Sequence, residues 1–304
     1  MTENMSVSNN SAKLHMTENS SLGSGQRTNL FKHVLRLPMV IWQALFFIAP
    51  LFFLVAMSFF IVRNYRMTEA FEMKNWVKML GRDYFWDSYG LTMGLATLAT
   101  VVVMMVAFPA AYTLAFRVSE NTRRWAVFLL IIPFFTSYLV RTFSWYVILA
   151  ESGVINAVLG YIGLGPYIML NTKFGTIIGY MTLTLPLVII LQTFSLSNID
   201  RSLVEAAHNL GCRPWRTIMK VILPLAKTGF IIAAVFCFIL SFGDFVSPYY
   251  LGGSKPPTLP ILIVDTVKSG QQWPRAAVVA VVMMVTLFIV AFGGIATAYR
   301  RRLS

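Results

Sequence analysis

The sequence predicts an all-α integral membrane protein with six transmembrane helices, and three observations carry that expectation. Of its 304 residues 57% are hydrophobic and 12% charged, where a soluble domain has about 25% charged; the mean hydropathy is +0.68. Apolar runs of membrane length recur along the chain, since a helix rising about 1.5 Å per residue needs about 20 apolar residues to cross roughly 30 Å of hydrocarbon. Lys and Arg also alternate in density between successive connecting segments.

Residues 1–37 begin with a stretch rich in Ser, Asn, Thr and Gly without hydrophobic period, which reads as a disordered cytoplasmic tail. Met1-Thr2-Glu3-Asn4 recurs at Met16-Thr17-Glu18-Asn19; this fits a second start codon and is too short for a structural repeat. The apolar run from Met39 is too long and starts too late for a cleaved signal peptide. It reads as a retained first span over 39–62, followed by spans at 91–116, 125–150, 175–196, 227–247 and 276–299. The expected divisions are the tail, a first helix with its outer loop (38–90), a five-helix core (91–299) containing a polar loop at 198–227, and a basic C-terminus (300–304). The 13 prolines and 19 glycines predict bent helices, which membranes tolerate where neighbours satisfy the freed backbone groups. Trp42, Trp76, Trp86, Trp125, Trp145 and Trp273 mostly fall near predicted span ends or in outer loops, as an interfacial belt requires.

The formal net charge of +13 is distributed by side rather than gathered in a nucleic-acid patch. With six spans, the N-terminal side carries Lys13, Arg27, Lys32 and Arg36, then Arg117, Arg123 and Arg124, then Arg201, Arg213, Arg216, Lys220 and Lys227, then Arg300, Arg301 and Arg302. The opposite side carries fewer, most of them in the first loop (Arg63, Arg66, Lys74, Lys78, Arg82). The positive-inside rule then makes both termini and the 198–227 loop cytoplasmic.

That loop contains Glu205-Ala206-Ala207-His208-Asn209-Leu210-Gly211 and, further on, Val221-Ile222-Leu223-Pro224. Asp200 or Ser202 is a suitable N-cap, the residues to Leu210 are good helix formers, and Gly211 has the permissive backbone that ends a helix. A short helix lying along the membrane surface is expected, then a turn, then a basic amphipathic stretch from Pro214. The spacing resembles the Glu-Ala-Ala loop of importer permeases of the ATP-binding cassette class. There Glu-Ala-Ala is followed at fixed distance by Gly and then by Ile-x-Leu-Pro; Val221 replaces the usual Ile.

Further resemblance, from about Leu91 onward, points to the spermidine/putrescine branch: Arg141-Thr142, Trp145, Ile148-Leu149, Gly153, Ile155-Asn156, Tyr249-Tyr250-Leu251-Gly252-Gly253 and Trp273-Pro274. Iron, phosphonate and opine importers share much of this pattern. The resemblance implies a type I importer permease fold in a bacterial inner membrane. It implies a heterodimer with a second, homologous permease, two copies of a cytosolic ATPase and a periplasmic substrate-binding protein, working by alternating access. Glu205, Ala206, Ala207, Gly211, Leu223 and Pro224 are then the ATPase-coupling residues. ATP is bound by the partner and no cofactor is expected in this chain.

Two charges inside spans need a reason, because an intramembrane ionisable group costs roughly 2.5 to 3.5 kcal/mol. Asp244, with Phe242, Phe245, Tyr249 and Tyr250 nearby, is placed to hold an alkylammonium by charge and cation–π contact. The alternative is an ion pair with Arg141, expected at comparable depth. Asp244, Arg141, Tyr249 and Trp145 are the candidate substrate-path residues.

Enzyme readings find little support. No Gly-x-x-x-x-Gly-Lys-Ser/Thr loop, His-Glu-x-x-His or Cys-x-x-Cys occurs. His15, His33 and His208 form no metal pattern, Cys212 and Cys237 no disulfide framework, and Glu69, Glu72, Asp83 and Asp87 belong to a mixed-charge outer loop. No catalytic or metal residue is expected. A self-sufficient secondary carrier is the competing class; it would show more spans or paired interrupted helices.

Overall fold

The computed structural model describes residues 38–63, 66–68 and 71–299, and the chain divides after Ala56 into two units. The expectations for the tail and for residues 300–304 lie outside the described residues. The described part of the first unit belongs to helix α1 (Pro38–Met57), continuous and of mean hydropathy 2.3, with a π turn at Ala44–Ile48.

The first span ends five residues short of the expected Val62. After Met57 the chain leaves the helix, and β1 (Ile61–Arg63) pairs antiparallel with β2 (Arg66–Thr68), Val62 opposite Met67. Asn75, in α2 (Lys74–Leu80), explains the stop: its amide donates to Ser58 O at 3.2 Å and Phe60 O at 2.6 Å, capturing carbonyls that a longer helix would use.

Two of the other five predicted spans are broken. Helix α3 (Asp83–Phe116) crosses as expected. The run 125–150, read as one span, divides into α4 (Glu120–Ile131), a 3₁₀ turn (Ile132–Phe135) and α5 (Tyr138–Leu149), which α6 (Val154–Tyr161) follows. Pro133 is the cause: it has no N–H to continue α4, and its ring excludes the helical path before it. Helix α7 (Lys173–Ser197) spans intact. Next come α8 (Arg201–Asn209), α9 (Pro214–Leu225) and α10 (Lys227–Phe242). The expected span 227–247 is therefore cut at Phe242, and α9 and α10 meet at a 77° bend, qualifying as a span only together. The chain finishes with α11 (Val246–Tyr250), α12 (Leu259–Lys268) and the long span α13 (Trp273–Tyr299). Among the described residues five stretches are long and apolar enough to cross a membrane, namely α1, α3, the α5–α6 run Tyr138–Tyr161, α7 and α13, or six with the bent pair; the third span is thus displaced from 125–150 to 138–161.

Helices α3, α7 and α10 form the centre. On α3, Ala96, Ala99, Val103, Ala107, Ala111 and Ala115 are almost fully buried at helical spacing, a stripe of small side chains that lets backbones approach without a hydrophobic driving force. Three clusters line up along it: Ala96 with Phe238 and Phe242, then Val103 and Ala107 with Val188 and Cys237, then Ala111 and Ala115 with Leu196, Ile222 and Ala226. The last cluster ties the end of α3 to the bend between α9 and α10.

Candidate coupling site and intramembrane polar groups

Helix α8 is closed at both ends by local hydrogen bonds. Asp200 Oδ1 accepts from Ser202 N at 2.9 Å, and these bonds from Ser202 hold the Asp200 carboxyl below the usual carboxylate range. At the other end Gly211 N donates to His208 O (2.9 Å) and Cys212 N to Ala207 O (3.1 Å), the paired bonds of a Schellman cap, with Gly211 at φ +77°. Val204 joins the Ala111–Ala226 cluster and Ala207 is buried. Glu205, Ala206, Leu203 and Leu210 face outward, Leu210 at 84% exposure. The helix is thus a short, capped lever with a thin buried seam and a broad open face.

The lever joins the bend. Leu223 N donates to Ile218 O in a π turn over Ile218–Ile222, which lets Pro224, without an N–H, sit near the end of α9. Leu223 and Pro224 line an apolar groove of about 440 Å³ with Lys227 and Phe230, so the structure brings them to the bend, whereas Glu205 and Ala206 stand on α8. The bend itself is clamped by α7. Ser195 Oγ donates to Ala226 O at 3.1 Å, and a Cβ on Gly229 would come 2.2 Å from Ser195 Oγ. Nearby, Arg201 Nη2 donates to Ala115 O (3.4 Å), capping the end of α3. Sequence reasoning missed Ser195, Ala226 and Gly229; the only signal was a glycine three residues into an apolar helix.

Asp244 and Arg141 do not pair. Asp244 is 7% exposed; Oδ1 accepts from Val246 N (2.8 Å), Oδ2 from Ser247 N (3.2 Å) and from Tyr138 Oη–H (2.5 Å). The carboxylate caps the first N–H groups of α11, where the helix end favours negative charge. Tyr138 also lies within hydrogen-bond distance of Ser247 Oγ (2.5 Å), tying α5 to α11. Arg141 instead serves backbone carbonyls: Nη1 donates to Thr182 O (3.1 Å), and Nη2 to Thr136 O (3.4 Å) and to Pro133 O. Thr182 O is the acceptor that Pro186 would have used. The other two carbonyls belong to the break between α4 and α5, so both intramembrane charges answer irregular backbone. The sole ion pair among the described residues is Arg124–Glu120, at 2.5 Å.

Beside Asp244, aromatic rings form a partly open surface. Phe245 stacks on Tyr249 (5.0 Å between centroids), Tyr249 meets Tyr250 edge-on (4.9 Å), and Tyr250 approaches Phe143 of α5 (4.7 Å). Tyr249 is 39% and Phe143 43% exposed; Trp145 is half-buried one turn on from Arg141. No cluster of three or more metal-ligating side chains occurs among the described residues.

Helices of membrane-spanning length packed on a stripe of small residues, with a short capped helix beside a sharp bend, define an integral membrane protein. This chain belongs to the binding-protein-dependent transport system inner membrane components, whose family model matches residues 107–304. It is the permease subunit of an ATP-binding cassette importer of the inner membrane. The spermidine/putrescine transport system permease protein PotB of Haemophilus influenzae is 27% identical over 262 residues, 83% of this chain and 88% of that protein. The molybdenum transport system permease protein ModB of Azotobacter vinelandii is 29% identical over 207 residues, 66% of this chain and 89% of that protein. Among solved structures, a bacterial ABC transporter involved in the import of the acidic polysaccharide alginate superposes with a TM-score of 0.71 at 16% identity, covering 92% of this chain and 99% of that one. The MetNI methionine ABC transporter in an inward-facing conformation gives 0.52 at 16% identity, covering 74% and 97%. Both structures share the fold.

Proposed function

We propose that this chain moves polyamines, spermidine and putrescine, from a periplasmic binding protein to the cytoplasm, driven by a cytosolic ATPase that docks on α8. The carrying observation is the Schellman-capped helix Arg201–Asn209, with Glu205 and Ala206 outward, Ala207 buried and Val204 packed with Ile222 and Ala226 at the α9–α10 bend. A stroke delivered to such a lever reaches α10 through Ile222 and Ala226, and α7 through the Ser195 hydrogen bond. ATP is held by the partner, and this chain needs no cofactor of its own. Both termini and the lever then face the cytoplasm, and a second, homologous permease completes the translocation path.

The polyamine reading is supported by curated relatives named for spermidine/putrescine that match over more than four-fifths of the chain. The open tyrosine surface of Tyr249 and Tyr250 suits an alkylammonium through cation–π contact. Arg141 is engaged by carbonyls and adds no repulsive cation to that surface. Asp244 acts in this reading by fixing α11, which presents Tyr249, and Trp145 borders the same path. The test is uptake of labelled spermidine by the reconstituted importer with ATP, in competition with putrescine, molybdate and a ferric chelate. Competition by putrescine alone supports the reading; competition by molybdate or the chelate alone refutes the substrate assignment.

A further inference from the structure

At the end of α7 remote from the lever, a cavity of about 220 Å³ lies between α3, α7 and the segment following α11. Two helices start on its wall. Thr172 is the N-cap of α7 and Thr258 the N-cap of α12, and both line the cavity. Thr172 behaves as a cap should: its Oγ1 accepts from Gly175 N at 3.2 Å. Thr258 does not. It makes no side-chain cap bond, it is 1% exposed, and its Oγ1 has no hydrogen-bond partner. A buried hydroxyl without a partner carries a desolvation penalty of about 1–3 kcal/mol, so it is expected to have a ligand.

The charge around it is of one sign. Lys173 and Lys255 line the cavity, and none of its other lining residues is acidic. Neither lysine takes part in an ion pair among the described residues. The N–H groups of Lys173 and Phe174, in the first turn of α7, have no acceptor within their own helix. The N-terminus of α7, two lysines and the unpartnered Thr258 hydroxyl therefore line one space, the donor set of an oxyanion site; α12 adds neither of its first two N–H groups, because Leu259 N already donates to Thr92 Oγ1 and Pro260 has none.

We propose that this cavity binds a phosphate oxyanion, either free or as the headgroup of a phospholipid, which bridges α7 to the segment that carries Lys255. The site is lined by none of the α8 residues and borders the tyrosine surface only through Pro248 and through Ser254, whose Oγ donates to Tyr249 O at 3.4 Å; its existence does not depend on the polyamine reading. The test uses the full chain assembled with its importer partners in nanodiscs of neutral phosphatidylcholine. Inorganic phosphate is titrated at constant ionic strength against chloride, and the melting temperature of the permease is followed. In parallel, phosphatidylglycerol is exchanged into the discs. The wild-type protein is expected to be stabilised by one of these probes. The double substitution Lys173→Gln with Lys255→Gln should weaken the effect about tenfold or more, the order expected for losing charge-assisted bonds. Thr258→Val should weaken it about threefold, and Lys173→Arg with Lys255→Arg should retain it. An effect from phosphate identifies the free anion, and an effect from phosphatidylglycerol alone identifies the headgroup. No stabilisation by either probe, or stabilisation that the glutamine variant retains in full, overturns the proposal. Since both lysines are exposed, the variants are expected to fold; a glutamine variant that melts like the wild type without phosphate confirms this.

Discussion

Arg141 Nη1 donates to the backbone oxygen of Thr182 at 3.1 Å, and Thr182 is four residues before Pro186, whose missing N–H leaves that oxygen without its helical partner. The guanidinium thus repairs one proline-made gap in α7 and, through Pro133 O and Thr136 O, a second one between α4 and α5. Replacing Arg141 by Met should lower stability by about 2 kcal/mol, from unpaired carbonyls in a medium that offers little water. In a Pro186→Ala background the loss should be smaller, because residue 186 then supplies its own N–H to Thr182. Thermal unfolding of the four proteins of this cycle measures the coupling. Equal losses in both backgrounds contradict the role assigned to Arg141.

Tyr138→Phe removes the phenolic donor to Asp244 while keeping the ring. It should cost about 1 kcal/mol. Asp244→Asn, which keeps one carbonyl oxygen as acceptor, should be milder than Asp244→Ala, which removes the cap on α11. Spermidine uptake should fall in the order Asn, Ala with the melting temperature, whereas Tyr249→Ala should raise KM without lowering the melting temperature by more than about 1 °C. A KM change on Asp244→Asn with unchanged stability would place Asp244 itself in contact with substrate.

The apolar runs were legible because hydrophobic length is additive along a helix, and the short helix α8 was legible because its caps at Asp200 and Gly211 act locally. The two broken spans were not. A run scored by composition sums across Pro133, and it sums likewise across Gly243 and Asp244, where α10 stops at Phe242 and the Asp244 carboxylate caps α11 instead. The partners of the buried charges were hidden for another reason. Tyr138 lies 106 residues from Asp244, and Thr182 lies 41 from Arg141. The sequence shows that Pro186 orphans a carbonyl, yet it cannot show which donor arrives.

Gly211 has open space where a Cβ would project, so only its φ of +77° restricts substitution. Gly211→Asn should keep uptake within about twofold, because Asn tolerates the left-handed region. Gly211→Val should uncouple the importer: ATP hydrolysis persists in the assembled complex and uptake falls at least tenfold. Hydrolysis and uptake measured on the same proteoliposomes check this.

At the bend, space and not torsion decides. Gly229→Ala places a methyl group against Ser195 and should impair uptake strongly, although alanine is the better helix former. Ser195→Gly in the same chain removes the clashing atoms and should restore much of the activity. Failure of the second change to rescue the first would show that the contact between α7 and α10 is not the constraint.

Asp200 is held below the ordinary carboxylate range in the folded chain, so its cap contributes to α8 above that range and is lost as pH falls through the lowered value. Amide exchange at Ser202, corrected for intrinsic rate, should therefore stay constant from neutral pH through the ordinary carboxylate range and rise only below it. In Asp200→Asn the step should vanish.

The account turns on α8 being the surface that a cytosolic ATPase pushes. Leu210, at 84% exposure beside the cap, is the natural probe. The decisive measurement is disulfide or short-linker cross-linking from Leu210→Cys, in a chain with Cys212→Ser, to the assembled importer. A cross-link to the ATPase subunit that forms in the resting complex and changes yield on addition of ATP is the predicted result. Labelling of the same cysteine by an impermeant reagent from the periplasmic side, with no ATPase adduct, would contradict it.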